Sequence, residues 1–178
     1  MLVQIYFIRH GESEANVVQH QTTCGSIKHL LMRDPVLTDN GIEQSKSNQS
    51  SMPDVDIVLS SQLLRAIQTA LHMYPKQFIH VVPYLNELGT GLDNVPHSEC
   101  TQDDMLENDS KRVVRLARKN ERNFVQYIAR NILPKFSGKK HVKIALFTHS
   151  RLMKNHLKIP LSELPNNCTV SKKYYFVL

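Results

Sequence analysis

Apolar and polar positions along this chain fall into short blocks that alternate between two periods. Residues 2–10, Leu-Val-Gln-Ile-Tyr-Phe-Ile-Arg-His, form a nearly unbroken apolar run, the pattern of a strand covered on both faces of a parallel sheet. Glu12 to Gln19 predicts a short helix, and residues 20–37 show no periodicity and predict a surface loop. Thr38 is placed to N-cap a helix reaching about Ser47, although Gly41 is a poor residue for its first turn. Further strands are predicted over Val55–Leu59, Phe78–Val82, Lys143–Phe147 and Tyr174–Leu178, and helices over Gln62–Met73 and Thr148–Leu157. Glycines and prolines mark Asn86–Cys100 as irregular, and a long helix is predicted from Asp104 to Ile132, stopped by Pro134. Strands alternating with helices require crossovers. The predicted fold is therefore a three-layer α/β/α sandwich around a mainly parallel sheet, with residues 1–178 as one domain.

Composition narrows the class without choosing a function. The 178 residues can bury a proper core, and 41% hydrophobic and 21% charged residues are ordinary for a globular protein. Cys24, Cys100 and Cys168 are unclustered, which argues for a reducing, cytoplasmic setting and against a disulfide framework or thiolate zinc site. The first apolar stretch is too short and lacks the flanks of a signal peptide, and no segment approaches a membrane span. A net charge of +6 invites a nucleic-acid reading. Much of it lies in the predicted long helix, at Lys111, Arg112, Arg115, Arg118, Lys119 and Arg122. Val113, Ala117, Asn120, Phe124 and Ile128 are its expected buried stripe, so the basic residues read first as a solvated face.

The chemistry gathers at strand ends. The first strand stops at Arg9-His10, the second runs into Ser60-Ser61 and then Arg65, the third leads to Leu85-Asn86-Glu87, and the fourth ends at Thr148-His149-Ser150. Parallel strands share one C-terminal edge, where open α/β sheets bind ligands, so these residues can meet. Taken singly, Arg9 could cap a sheet edge, His149 could satisfy a helix N-terminus and Glu87 could be a solvated loop acid. Two arginines, two histidines and a glutamate together make a cage for a phosphoryl group with a nucleophile and a proton donor. Asp93, Glu99 and Glu107 are further acids in the same region as Glu87. The remaining histidines show no metal-ligand spacing.

Arg9-His10-Gly11-Glu12-Ser13, with Asn16 beyond it, resembles the N-terminal signature of the histidine phosphatase superfamily, also called phosphoglycerate mutase-like. Asp34 to Gln44 is similar to its second motif and Ser60 to Ala70 to its third, followed by Leu85-Asn86-Glu87 and Thr148-His149-Ser150. The resemblance implies that His10 attacks phosphorus, with its other ring nitrogen donating to a backbone carbonyl. It implies that Arg9, Arg65, Asn16, His149 and Ser150 contact the phosphate and that Glu87 is the acid and then the base. No metal or other cofactor is expected. Mutases of the superfamily carry arginine, histidine and tyrosine after the acid, where this chain has Leu88-Gly89-Thr90-Gly91-Leu92-Asp93, so a phosphatase is expected. Ser150 stands where many members have glycine, and a Glu-Gly pair usual after the acid region is missing. The expected substrate is a small phosphorylated molecule. Phosphoprotein or nucleic-acid substrates, phosphoglycerate mutase-type transfer and a non-catalytic phosphate-binding module are the alternatives.

Overall fold

The computed structural model describes residues 1–21, 28–89, 91–96, 110–116, 123–158 and 166–176. Six strands form one sheet: β1 (Leu2–Arg9), β2 (Ile57–Ser60), β3 (Ile79–Val81), β4 (Val113–Arg115), β5 (His141–Thr148) and β6 (Val170–Phe176). Their spatial order is β4-β3-β2-β5-β1-β6. All neighbours are parallel except β1 and β6, which run antiparallel. Helices are α1 (Glu14–Gln21), α2 (Asp39–Ser47), α3 (Leu64–Met73), α4 (Phe124–Tyr127) and α5 (Ser150–Leu157). No helix among the described residues is long and apolar enough to cross a membrane.

Alternation within the strands separates two cores. Val3, Ile5 and Phe7 of β1 join Leu59, Ile144 and Leu146 on one face, packed against Phe124, Ile128, Leu133, Leu152 and Met153. Ile8, Val58, Ile79, Ala145 and Phe147 face the other way, onto Leu64, Ile67, Leu71 and Met73 of α3. The buried side chains of the central strands thus have a helical layer to pack against on either face, the predicted three-layer arrangement. Phe7, fully buried and edge-on to Phe124, should cost about 3–5 kcal/mol if cut to alanine.

Thr38 caps α2 as expected, its hydroxyl accepting from Gly41 N at 3.0 Å. The helix tolerates Gly41 for a packing reason: a Cβ there would collide with the backbone of Glu12. A Cβ on Gly11 would likewise lie 2.6 Å from the Gly41 carbonyl oxygen. The two glycines let α2 press against the turn that leaves β1.

The long helix expected over 104–132 is corrected. Lys111 and Arg112 lie in a 3₁₀ turn, and Val113–Arg115 is a strand on the sheet edge, in register with Ile79, His80 and Val81. Two adjacent β-branched residues beside an unfilled edge favour the ladder over a helix. Among the described residues of this stretch a helix begins at Phe124, where Asn123 caps it by accepting from Gln126 N at 3.0 Å; it passes through a wide turn at Ile128–Ile132. The basic residues therefore do not share one helix. Arg112 donates to the carbonyls of Tyr74 and Gln77, at 3.1 and 3.2 Å, just past the C-terminal end of α3. A cation there satisfies orphan carbonyls and opposes the negative end of the helix dipole. Arg118, Lys119 and Arg122 lie outside the described residues. The last strand begins at Val170, earlier than expected, and lines β1 with antiparallel hydrogen bonds.

Candidate active site

Strand register brings the reactive groups together. β1 and β5 pair with Arg9 opposite Thr148, so the next residues, His10 and His149, leave the sheet side by side. Their ring centroids are 5.0 Å apart. On the far side of β5, Ser60 is level with Phe147, and Ser61 N donates to the Phe147 carbonyl at 2.9 Å. The Thr148 hydroxyl donates to the Leu85 carbonyl at 2.8 Å and moors the segment leading to Glu87. Strand-end residues far apart in sequence thus share one edge because adjacent strands stop at the same level.

His10 is buried, and its Nδ1 lies 2.7 Å from the Gly11 carbonyl oxygen. A carbonyl can only accept, so Nδ1 carries the proton and Nε2 keeps its lone pair. Burial, then Arg65, then Arg9 push the His10 pKa well below the usual imidazole value. The ring is neutral at neutral pH. Gly11 N in turn donates to the Thr69 hydroxyl at 2.9 Å, pinning the turn to α3.

Arg65, in the first turn of α3, is buried and held from behind. One guanidinium nitrogen donates to the Asp93 carbonyl at 2.6 Å and the other to Asn94 Oδ1 at 3.1 Å. Asp34 accepts from Leu64 N at 2.9 Å and orients the start of the same helix. Arg9 is half-buried at the end of β1, where burial lowers its pKa and the charge of Glu87 opposes that shift. Glu87 is also half-buried. Its carboxylate accepts from Leu88 N at 3.0 Å and, more weakly, from Arg151 N at 3.5 Å. Desolvation nevertheless raises its pKa above the ordinary glutamate value, against the pull of these bonds and of Arg65.

Arg9, His10, Asn16, Arg65, Glu87 and Ser150 all line one cavity of about 570 Å³. Asn16 Oδ1 accepts from both the backbone N and the hydroxyl of Ser13, at 3.1 and 3.0 Å, which fixes the face its amide presents. Ser150 opens α5. His149 is the exception among the expected contacts. It is fully buried beside His10 and is not part of the cavity wall; its Nε2 lies 2.8 Å from the Ser61 hydroxyl. Of the other acids, Asp93 also lines the cavity, but its carbonyl serves Arg65 and its carboxylate sits 4.0 Å from His29 Nε2. Glu99 and Glu107 lie outside the described residues. No group of three metal-ligating side chains occurs among the described residues.

Several contributors carry no mark in the sequence that assigns them to the site. Ser61 and Asn94 hold His149 and Arg65, while His20, His29 and Arg151 extend the cavity wall beyond the cage. Ser61 lay inside a recognised motif, so its neighbour Arg65 was a signal. Asn94 and Arg151 had none, since nothing local marks which loop side chain will meet a distant arginine.

Two arginines and a histidine with a bare ring nitrogen thus line one cavity at the C-terminal edge of an open α/β sheet. The family model described as the histidine phosphatase superfamily, branch 1, matches residues 5–167, and the chain belongs to that superfamily. Membership places it among phosphatases and related phosphoryl-transfer enzymes. No curated protein matches the sequence. Among solved structures, it resembles a phosphoserine phosphatase of Entamoeba histolytica at 17% identity and a TM-score of 0.56, covering 96% of this chain and 89% of that one. An alpha-ribazole phosphatase of Shigella flexneri matches at 23% identity and 0.55, covering 95% and 89%. A phosphoglycerate mutase of Bacillus anthracis matches at 17% and 0.57, covering 98% and 88%. At these identities the likeness extends to the fold.

Proposed function

We propose that the chain is a phosphomonoester hydrolase that works through a phosphohistidine on His10 and needs no metal ion. The observation that carries this reading is the bond from His10 Nδ1 to the Gly11 carbonyl. It leaves Nε2 unprotonated in a cavity that also presents Arg9 and Arg65.

Nε2 attacks phosphorus, and the phosphorus–oxygen ester bond breaks. The electron pair stays on the leaving oxygen, which takes a proton from the Glu87 carboxyl group. Arg9, Arg65, Asn16 and Ser150 hold the phosphoryl oxygens from the cavity wall, and His149, buried beside His10, donates to one of them once the group is bound there; the arginines act through charge-assisted bonds that stand in for the magnesium of other phosphoryl-transfer sites. Water then attacks the phosphohistidine, and the Glu87 carboxylate takes its proton. The phosphorus–nitrogen bond breaks and its pair returns to Nε2, so the enzyme ends as it began. The raised pKa of Glu87 suits the acid role in the first step. Substrates are small phosphorylated molecules, and the cytoplasm is the compartment that fits a buried free thiol at Cys168.

The test is hydrolysis of an aryl phosphate with chelator present, for wild type and His10→Ala. Turnover by wild type alone is expected. Abolition by chelator, or activity surviving in the variant, contradicts the reading. Mutase-type transfer is favoured by one observation, the extension of the cavity to His20, His29 and Arg151, basic side chains that could hold a second phosphate. Isomerisation of a monophosphoglycerate in the presence of a bisphosphoglycerate would support that second reading.

A further inference from the structure

The contact between Ser61 and His149 carries a consequence for how the cage donates hydrogen bonds, granted the phosphoryl-binding role proposed for His149. Ser61 and His149 are both fully buried. The Ser61 hydroxyl oxygen accepts from Leu63 N at 3.1 Å and lies 2.8 Å from His149 Nε2. A hydroxyl has one proton to give and two lone pairs. With Leu63 already on one lone pair, two arrangements remain. If Nε2 bore a proton, it would occupy the second lone pair, and the Ser61 proton would have no acceptor inside a buried site. If Nε2 is bare, the Ser61 proton goes to it and only the Nδ1–H of His149 is left unpaired, whereas the first arrangement leaves both the Ser61 proton and a bare Nδ1 without partners. Each unpaired buried polar group is costly, so the arrangement that leaves one rather than two holds.

The proton of a neutral His149 must then sit on Nδ1. That atom is buried and has no hydrogen-bond partner among the described residues, while its ring stands next to that of His10. We propose that Ser61 is a positioning residue that locks neutral His149 as the Nδ1–H tautomer, reserving that N–H for a phosphoryl oxygen bound beside His10. His149 then contributes a donor without having to take up a proton. The surroundings agree, because burial, Arg65, His10 and Arg9 all act against the imidazolium form. The two histidines of the site are thereby complementary. Both carry the proton on Nδ1, but Gly11 consumes that of His10 and frees its Nε2 to attack, whereas Ser61 consumes Nε2 of His149 and frees its N–H to bind.

The direct test is long-range proton–nitrogen NMR of the imidazoles in ¹⁵N-labelled wild type, with His149 assigned by loss of its signals in His149→Gln. A pyrrole-type Nδ1 and a pyridine-type Nε2 are expected at His149. A pyrrole-type Nε2 in the wild type overturns the proposal, whether or not the protein hydrolyses any substrate. Two variants carry it to turnover, because Ser61→Thr and Ser61→Val share shape and differ only in the hydroxyl. With an aryl phosphate, Ser61→Val should lose about ten- to a hundredfold in kcat relative to Ser61→Thr, the scale of a weakened oxyanion donor, with KM changed less than about threefold. Its His149 spectrum should shift toward mixed tautomers while that of Ser61→Thr stays with wild type. Equal kcat in the two variants, or an unchanged spectrum in Ser61→Val, counts against the assignment. Failure of the His10→Ala test above bears on the function instead and leaves the tautomer measurement standing.

Discussion

The ends of β1 and β5 and the loop bearing Glu87 reach the same cavity in different ways. At the strand ends, His10 and His149 follow directly from paired residues, are buried, and have one ring nitrogen each engaged by a neighbour. Glu87 lies beyond an irregular turn in which Tyr84 adopts a positive φ of 77°, is half-exposed, and accepts from the backbone N–H groups of Leu88 and Arg151. On the proposed mechanism, the nucleophile and its neighbouring histidine are therefore placed by sheet register, whereas the acid sits on an irregular segment held by backbone N–H groups. The difference suits the chemistry, since every phosphomonoester shares a phosphoryl group and differs in the alcohol.

That contrast predicts unequal responses to mutation. His10→Ala should lower kcat by about 10⁴-fold or more on every phosphomonoester, as loss of a nucleophile does; steady-state turnover across a substrate panel measures it. Glu87→Gln should cost about 10²–10⁴-fold for alkyl phosphates, whose leaving oxygen needs a proton, and far less for an activated aryl phosphate. An equal loss on both would remove the distinction between the register-placed nucleophile and the acid on its irregular segment.

The pH profile separates the same two regions. His10 is held below the usual imidazole pKa, so activity should persist as pH falls through about 6.5 and drop only when the ring finally protonates. Glu87 must start protonated and its pKa is raised, so activity should fall as pH rises through that value. In Glu87→Gln the alkaline limb should flatten while the acid limb remains. A smaller effect is expected at Gly41→Ala, where the added methyl meets Glu12 and should displace the turn after His10, lowering both Tm and kcat. The smallest is Asn94→Ala. Arg65 keeps its bond to the Asp93 carbonyl there, so KM should rise only a few-fold.

How much of this could be read from the chain follows the same division. The strand ends were legible because a buried strand announces itself by composition and a parallel sheet gathers its C-terminal ends wherever they fall in sequence. Thr38, too, was readable as a cap, since capping is local. Ser61, Asn94 and Arg112 were not. Each is defined by a partner on another element, and register and loop path decide which partner arrives. The error at Val113–Arg115 has a related cause. Helical spacing of apolar residues carried through it, but an edge of β3 open to pairing outweighed the periodicity. The basic residues drew attention as one surface, yet Arg112 is spent on closing the end of α3.

The claim that His10 becomes phosphorylated is the centre of the account. Rapid-quench labelling with a ³²P-phosphomonoester, followed by acid and alkali treatment and mapping of the labelled residue, tests it most directly. The account predicts a transient label that is lost in acid, survives alkali, maps to Nε2 of His10 and is absent from His10→Ala. An acid-stable label on another residue, or an equal label in His10→Ala, would contradict it.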